Sequence, residues 1–146
     1  MRHLLKAGAE YFAAVFAAGF CMGTVRTIGI APRVGELSAV AAEIPLMLLF
    51  AWIACKFIRG RYPQLNTARS ALAVGGFAFV LLLIAEALLS IGLTGLSLGQ
   101  HAALYQELPV QIGLLGQVLF ALLPFLQARA NAKAAVHAPG KTGSQL

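Results

Sequence analysis

Charged side chains stand inside otherwise apolar sequence, and their types and spacing are the main hint of chemistry. Residues 24–47 read TVRTIGIAPRVGELSAVAAEIPLM and contain Arg26, Arg33, Glu36 and Glu43. Placing an ionised side chain at the centre of a bilayer costs at least about 2.5–3.5 kcal/mol, so such residues are usually paired or functional. The pattern therefore indicates ion pairing, proton binding or recognition of a charged solute.

The charges of this group do not balance once Glu86, in a later apolar run, is included. Arg33 is expected to pair with Glu36, three residues further along a helix. Arg26 is expected to pair with Glu43 or Glu86. One carboxylate is then left without a cation, and a low dielectric disfavours its charged form. We expect that group to hold a proton or to await a cation.

Composition predicts the elements that carry these residues. The 146-residue chain is 60% hydrophobic and 11% charged, whereas soluble domains are about a quarter charged. Four apolar runs each approach the roughly 20 residues that span a bilayer, and they cover 9–31, 36–58, 71–94 and 108–128. The prediction is an all-α, four-transmembrane-helix bundle over 1–128. The polar, alanine- and glycine-rich segment 129–146 is predicted to be a disordered cytoplasmic tail.

The distribution of basic residues predicts the orientation of the chain. Lysine and arginine cluster at both termini and between the second and third runs, and the connection 95–107 has none. The positive-inside rule then places both termini in the cytoplasm, with Arg33 as an exception, and we expect a bacterial inner membrane. The first span starts like a signal peptide but is expected to stay uncleaved. The net charge of +6 does not indicate nucleic acid, because the basic residues only flank the apolar runs.

Counting residues along each helix predicts how deep the polar side chains lie. At 1.5 Å per residue, Arg26 and Glu86 lie about 25 and 24 Å from the cytoplasmic side, and Glu43 about 10 Å below the outer surface. Glutamines of the fourth span reach similar depths. The predicted site is a buried polar column in the outer half of the bilayer, formed by Arg26, Arg33, Glu36, Glu43, Glu86, Gln111 and Gln117.

Small residues and prolines suggest how the helices pack and begin. Gly19 and Gly23 form a GxxxG pair, which favours close approach of another helix, within the bundle rather than between subunits. Pro45 is predicted to kink the second helix. Asn66 or Thr67 is expected to cap the third helix. The outer connection GLSLGQHAALYQELP is expected to hold a short surface helix.

Residues for redox or metal chemistry are absent from the predicted spans. The histidines lie outside them, which disfavours a membrane haem. The chain has no aspartate and no His/Cys cluster, and carboxylates alone suit only hard cations. Ser38 and Ser90 have no base at matching depth. We therefore predict no cofactor and no metal, and catalysis is the weaker class of function.

The stretch RVGELSAVAAEIPLMLLFAW, residues 33–52, resembles helix two of the MAPEG superfamily of trimeric, four-helix, glutathione-linked membrane enzymes. The resemblance places Arg33, Glu43, Pro45 and Trp52 at that family's basic, acidic, proline and aromatic positions. Glu36 falls at the family's second arginine, which reverses the charge facing glutathione, and the family's asparagine is also replaced here. Taken whole, the chain resembles small uncharacterised four-helix inner-membrane proteins of bacteria, which implies topology alone.

Three functions follow as hypotheses from these patterns. The first is proton- or cation-responsive transport of a small solute through the Arg/Glu column. The second is a structural or accessory membrane subunit, in which the same residues only set helix packing. The third is a MAPEG-like glutathione-linked enzyme. The expected partners are the lipid bilayer, a small charged solute or a proton, and either further copies of the chain or a larger membrane protein.

Overall fold

The computed structural model describes residues 1–137, and within that range the chain is all-α, as predicted, with no strand. The first long element runs as α1 (Arg2–Val25), a π-helical segment (Arg26–Ile30) and α2 (Ala31–Val34). The remaining elements are α3 (Glu36–Arg61), a 3₁₀ turn (Pro63–Leu65), α4 (Ala68–Thr94), α5 (Leu98–Leu104) and α6 (Leu108–His137).

Four helical segments are long and apolar enough to cross a membrane, and they contain most of each predicted apolar run. They cover Arg2–Val34, Glu36–Arg61, Ala68–Leu93 and Leu108–Ala134. The helices extend beyond the apolar runs because backbone hydrogen bonding continues into polar turns. The largest extensions are in the first long element, which runs from Arg2 to Val34, and in α6, which reaches His137, so 129–137 is helical and not the predicted disordered tail. Its alanine-rich sequence favours helix, and the rest of the predicted tail, 138–146, lies outside the described residues.

Each of the four long helices packs against two others. The pairs are α1 with α3, α1 with α4, α6 with α3 and α6 with α4, so the helices follow the order α1, α3, α6, α4 around a ring. Small residues dominate the interior and allow the helices to approach closely. The main core cluster contains Tyr11, Val15, Ala51, Ala54, Cys55, Ala78, Leu82, Phe120, Ala121 and Leu123.

The tightest helix crossing lies between α4 and α6. A Cβ atom on Gly75 would overlap the backbone carbonyl oxygen of Ala121 and lie 3.4 Å from Cγ of Pro124. Where α1 crosses α4, a Cβ on Gly8 would lie 2.7 Å from Cδ1 of Phe77. The crossing at Gly75 therefore requires glycine, because its obstacle is backbone, whereas a larger residue at Gly8 would require the Phe77 ring to move.

The predicted GxxxG contact does not form within the bundle, so the preferred version of this prediction was wrong, and a contact between subunits stays a prediction. A Cβ on Gly19 would meet only the end of the Met47 side chain at 3.4 Å, and one on Gly23 would meet no atom within 4 Å. Spacing of small residues identifies a helix face, but it does not decide which face meets a neighbour's backbone. Pro45 lies within α3 as predicted, but it is exposed and takes no part in packing.

A buried proline and a buried tyrosine connect two helices across the ring. Pro124 lies inside α6 and has no N–H, so the carbonyl of Phe120, four residues earlier, loses its helical donor. The Tyr11 hydroxyl of α1 donates to that carbonyl oxygen at 3.1 Å. The rings of Tyr11 and Phe120 also stack, with centroids 4.6 Å apart. The tyrosine therefore satisfies the backbone group that the proline leaves unpaired.

The connections close the bundle with ordinary capping chemistry. Thr67 is the N-cap of α4, as predicted, and its side chain accepts a hydrogen bond from the Ser70 backbone at 3.2 Å. The outer connection holds the expected short helix, α5, which begins with a capping box between Ser97 and Gln100. Gly35, at φ 85°, separates α2 from α3 in a left-handed conformation that favours glycine.

The Thr67 cap gives a first prediction. Thr67→Ala is expected to lower the free energy of unfolding by about 1 kcal/mol, because an orphan N–H of the first turn loses its acceptor. Thr24→Ala is the matched control, since the Thr24 hydroxyl only donates to the Phe20 carbonyl of its own helix. Reversible unfolding in detergent, followed by the fluorescence of Trp52, would compare the two. Equal losses would mean that the cap contributes nothing.

Candidate functional site

A cleft of about 850 Å³ opens at one end of the bundle, between α1, α3, α4, α5 and α6. Most of its wall is apolar. The charged or titratable side chains Arg26, Glu36, Glu43, Glu86, His101 and Glu107 line it. Their positions come from four separate parts of the chain, so the cleft exists only in the folded bundle.

Arg26 is the cationic centre of the cleft and the first residue of the π-helical segment. Its Nε lies 3.2 Å from Oε2 of Glu43, and its Nη1 lies 3.5 Å from Oε1 of Glu36. The turn at Gly35 directs the chain back so that the first turn of α3 faces Arg26. One guanidinium is therefore shared by two carboxylates. π-Helical turns are rare and frequently occur at functional sites.

Glu86 belongs to the same cleft but has a neutral partner. Nε2 of Gln117 donates to its Oε1 at 2.6 Å, which joins α4 to α6. Within residues 1–137, the ion pairs that form involve Glu10, Glu36 and Glu43, and none involves Glu86. Oε1 of Gln117 is itself buried and has no hydrogen-bond partner among the described residues. Among the described residues, Glu86 and Glu107 are thus the carboxylates of the cleft that form no ion pair.

The short helix α5 contributes a His–Tyr pair over the cleft that the sequence analysis missed. The rings of His101 and Tyr105 meet edge to face, with centroids 5.6 Å apart. Partial burial, followed by the negative charge of Glu86, raises the pKa of the Tyr105 hydroxyl above its ordinary value. Glu107 follows at the rim. The sequence did predict a surface helix in this connection. It could not predict that the helix lies over the cleft, because that position depends on tertiary packing.

The structure brings together five of the seven predicted site residues: Arg26, Glu36, Glu43, Glu86 and Gln117. Arg33 instead donates to the Gly29 carbonyl of its own segment. Gln111 donates to the backbone carbonyls of Tyr105 and Gln106. Glu36 therefore pairs with Arg26 and not with Arg33, because the turn at Gly35 interrupts the continuous helix that an i,i+3 pair needs.

The cleft charges are less enclosed than the predicted buried column. The side chains of Arg26, Glu36 and Glu43 are 26%, 51% and 16% exposed in the chain alone. Among residues whose burial the structure describes, no charged side chain is buried, and Gln127 is the buried polar one. The Nε2 of Gln127 donates to the Trp52 carbonyl at 2.9 Å, a link between α3 and α6 that the sequence analysis also missed.

Acidic residues are concentrated in the cleft, and basic residues are nearly excluded from it. Four of the chain's five acidic residues line it, against one of the ten lysines and arginines within residues 1–137. The fifth acid, Glu10, lies outside the cleft, where it accepts a hydrogen bond from the Tyr62 hydroxyl at 2.8 Å and lies 3.9 Å from Arg61. The cleft is therefore an acidic site in a basic chain.

The acids of the cleft do not form a metal-binding cluster. Within the described part of the chain, no group of three His, Cys, Asp or Glu side chains is close enough to hold a metal ion.

No family model, curated protein or solved structure matches the chain. Any function must therefore be argued from the cleft itself.

Proposed function

We propose that this chain is a four-span integral membrane protein, with both termini in the cytoplasm of a bacterial cell, that binds and transports a small cationic solute through the cleft. The observation that carries the proposal is the segregation of charge: four of five acids line the cleft, against one of the ten basic residues in the described part of the chain. The positive-inside rule supports an orientation in which this end faces outward.

The arrangement of partners supports a cation over an anion. Arg26 is already engaged by Glu36 and Glu43, so its charge is compensated before any solute enters. Glu86 accepts a hydrogen bond from the Gln117 amide and forms no ion pair among the described residues. A low-dielectric wall lined by one sign of charge concentrates ions of the opposite sign. A proton competes for the same carboxylates, which makes binding responsive to pH.

The proposal predicts that a cation stabilises the folded chain through Glu86. Full-length protein in a non-ionic detergent would be unfolded by heat with chloride salts of potassium, magnesium, guanidinium and tetramethylammonium at matched ionic strength. At a concentration of about 100 times the dissociation constant, the bound ion contributes about 2.7 kcal/mol. We expect at least one of these cations, or the bulkier tetraphenylphosphonium, to raise the midpoint by several degrees in wild type and by much less in Glu86→Gln.

Glu10→Gln is the matched control, because it removes a carboxylate outside the cleft and should retain the response. The proposal would be contradicted if neither the four smaller cations nor tetraphenylphosphonium stabilised the wild-type chain. The accessory-subunit hypothesis would then be preferred, and the next experiment would identify membrane proteins that co-purify with the chain. If a cation binds but shows no flux in proteoliposomes that contain the chain, the function is limited to binding.

The orientation is tested separately with reporter fusions. Green fluorescent protein fused after the last residue should fluoresce, and alkaline phosphatase at the same site should stay inactive, since both results indicate a cytoplasmic C-terminus. Alkaline phosphatase inserted after Gly99, in the connection that contains α5, should be active. The opposite pair of results would overturn the proposed orientation.

A further inference from the structure

We infer that the solute is an organic cation with a bulky apolar or aromatic body, held by Glu86 as its counter-ion. This inference rests on the proposed function and names the class of solute. Three properties of the cleft support it: its volume, the aromatic rings of its wall, and the spacing of its carboxylates.

The volume suits a molecule of drug-like size. The cleft encloses about 850 Å³, within the range of about 300–1,000 Å³ that is typical of small-molecule sites. A dehydrated inorganic ion would leave nearly all of that space unfilled. Its wall is mainly apolar, so a solute that fills it must present apolar surface.

Aromatic rings line the same cleft as the acidic groups. Phe16, Phe20, Phe120 and Tyr105 all line the cleft. An organic cation over an aromatic face gains from the ring quadrupole, by about 0.5–1 kcal/mol at exposed sites and about 2 kcal/mol or more when desolvated. Such rings offer nothing comparable to a strongly hydrated metal ion.

The spacing of the carboxylates also favours a diffuse charge. Calcium takes six to eight oxygen ligands, and magnesium requires a compact octahedron. The described residues contain no triad of metal-ligating side chains, and Glu36 and Glu43 are already directed at Arg26. Glu86, with Glu107 at the rim, is therefore not directed at Arg26, and an isolated carboxylate beside an apolar wall matches a monovalent organic cation.

Tetraphenylphosphonium is the probe that tests this inference. Tetraphenylborate, an anion of the same shape, is the control. Binding to the full chain in dodecyl maltoside would be measured by equilibrium dialysis against protein-free micelles. We expect saturable binding of the phosphonium, no saturable binding of the borate, and at least a tenfold weaker affinity in Glu86→Gln. Glu10→Gln should bind as wild type does.

A second variant tests the position of the probe independently of charge. Gly23 lines the cleft, and a Cβ atom there would meet no atom within 4 Å, so we expect Gly23→Phe to occupy part of the cleft and leave the fold intact. We expect it to weaken phosphonium binding at least tenfold. An unchanged circular dichroism spectrum and gel-filtration volume would show that either variant is folded.

The outcomes separate this inference from the proposed function. If guanidinium, tetramethylammonium or a metal ion stabilises the chain and the phosphonium does not bind, the inference fails and the proposed function stands. If neither the phosphonium nor any of the smaller cations binds, both fail. Equal binding of phosphonium and borate, or unchanged phosphonium binding in both folded variants, would overturn the inference. Full displacement by dodecylphosphocholine at submicellar concentration would assign the cleft to a lipid headgroup and would also overturn it.

Discussion

Gly75→Ala should destabilise this chain more than the same substitution at Gly8 or Gly76. The new Cβ would overlap the carbonyl oxygen of Ala121, which is backbone and cannot rotate away. Overpacking of a core typically costs about 1–3 kcal/mol, and we expect a loss at or above the top of that range because α4 and α6 must separate. Thermal unfolding in detergent and the gel-filtration profile would measure it.

The neighbouring glycine provides the control for this experiment. A Cβ on Gly76 would meet no atom within 4 Å, so Gly76→Ala should be neutral or slightly stabilising, since alanine is the better helix former. Gly8→Ala should fall between the two, because its obstacle is the Phe77 ring, which can move. If Gly75→Ala and Gly76→Ala unfold at the same temperature, the close crossing of α4 and α6 is incorrect.

Tyr11→Phe should cost about 1–3 kcal/mol, because it leaves the buried Phe120 carbonyl without a donor. The substitution keeps the ring, and so the stacking with Phe120 should survive. The cost depends on the proline, since the carbonyl is free only because Pro124 has no N–H. In a Pro124→Ala background, the restored N–H at position 124 can donate instead, and Tyr11→Phe should then cost at least about 1 kcal/mol less.

A double-mutant cycle isolates that coupling from the packing lost with the proline ring. Residues that share one hydrogen-bond network typically couple by about 0.5–3 kcal/mol. Tyr105→Phe serves as the control tyrosine, because Tyr105 lies on the α5 side of the cleft, away from α6 at Pro124, and should show no coupling. A Tyr11–Pro124 coupling within error of zero would mean that the hydroxyl does not substitute for the missing helical donor.

The four helices could be predicted from the sequence because a chain in lipid must satisfy its backbone polar groups internally, which demands long apolar helices. The positions of the close helix crossings could not be predicted from the sequence. GxxxG spacing indicated Gly19 and Gly23, whereas the crossings lie at Gly75 and Gly8. Which face of a helix turns inward depends on contacts with every neighbour at once, and local spacing contains no information about those neighbours.

The candidate site was predictable where it depended on depth. Counting residues placed Arg26, Glu43 and Glu86 at one level, and the structure has all three in one cleft. Prediction failed where it depended on rotation about a helix axis or on the path of a connection. Arg33 was misassigned because the helix is interrupted at Gly35, and His101 was missed because nothing local indicates that α5 folds over the cleft.

The π-helical segment at Arg26–Ile30 is the place where the first long helix can change length. A π turn holds one residue more than an α turn, and its wider turn absorbs that residue with little net rotation of the helix that follows. Deleting Gly29, which does not line the cleft, should therefore return the segment to a regular α-helix while the turn at Gly35 keeps nearly the same direction. Deleting a residue from the regular part of α1 would instead rotate everything beyond it by about 100°. The extra residue is thus a local insertion that the helix tolerates without turning Arg26 away from α3.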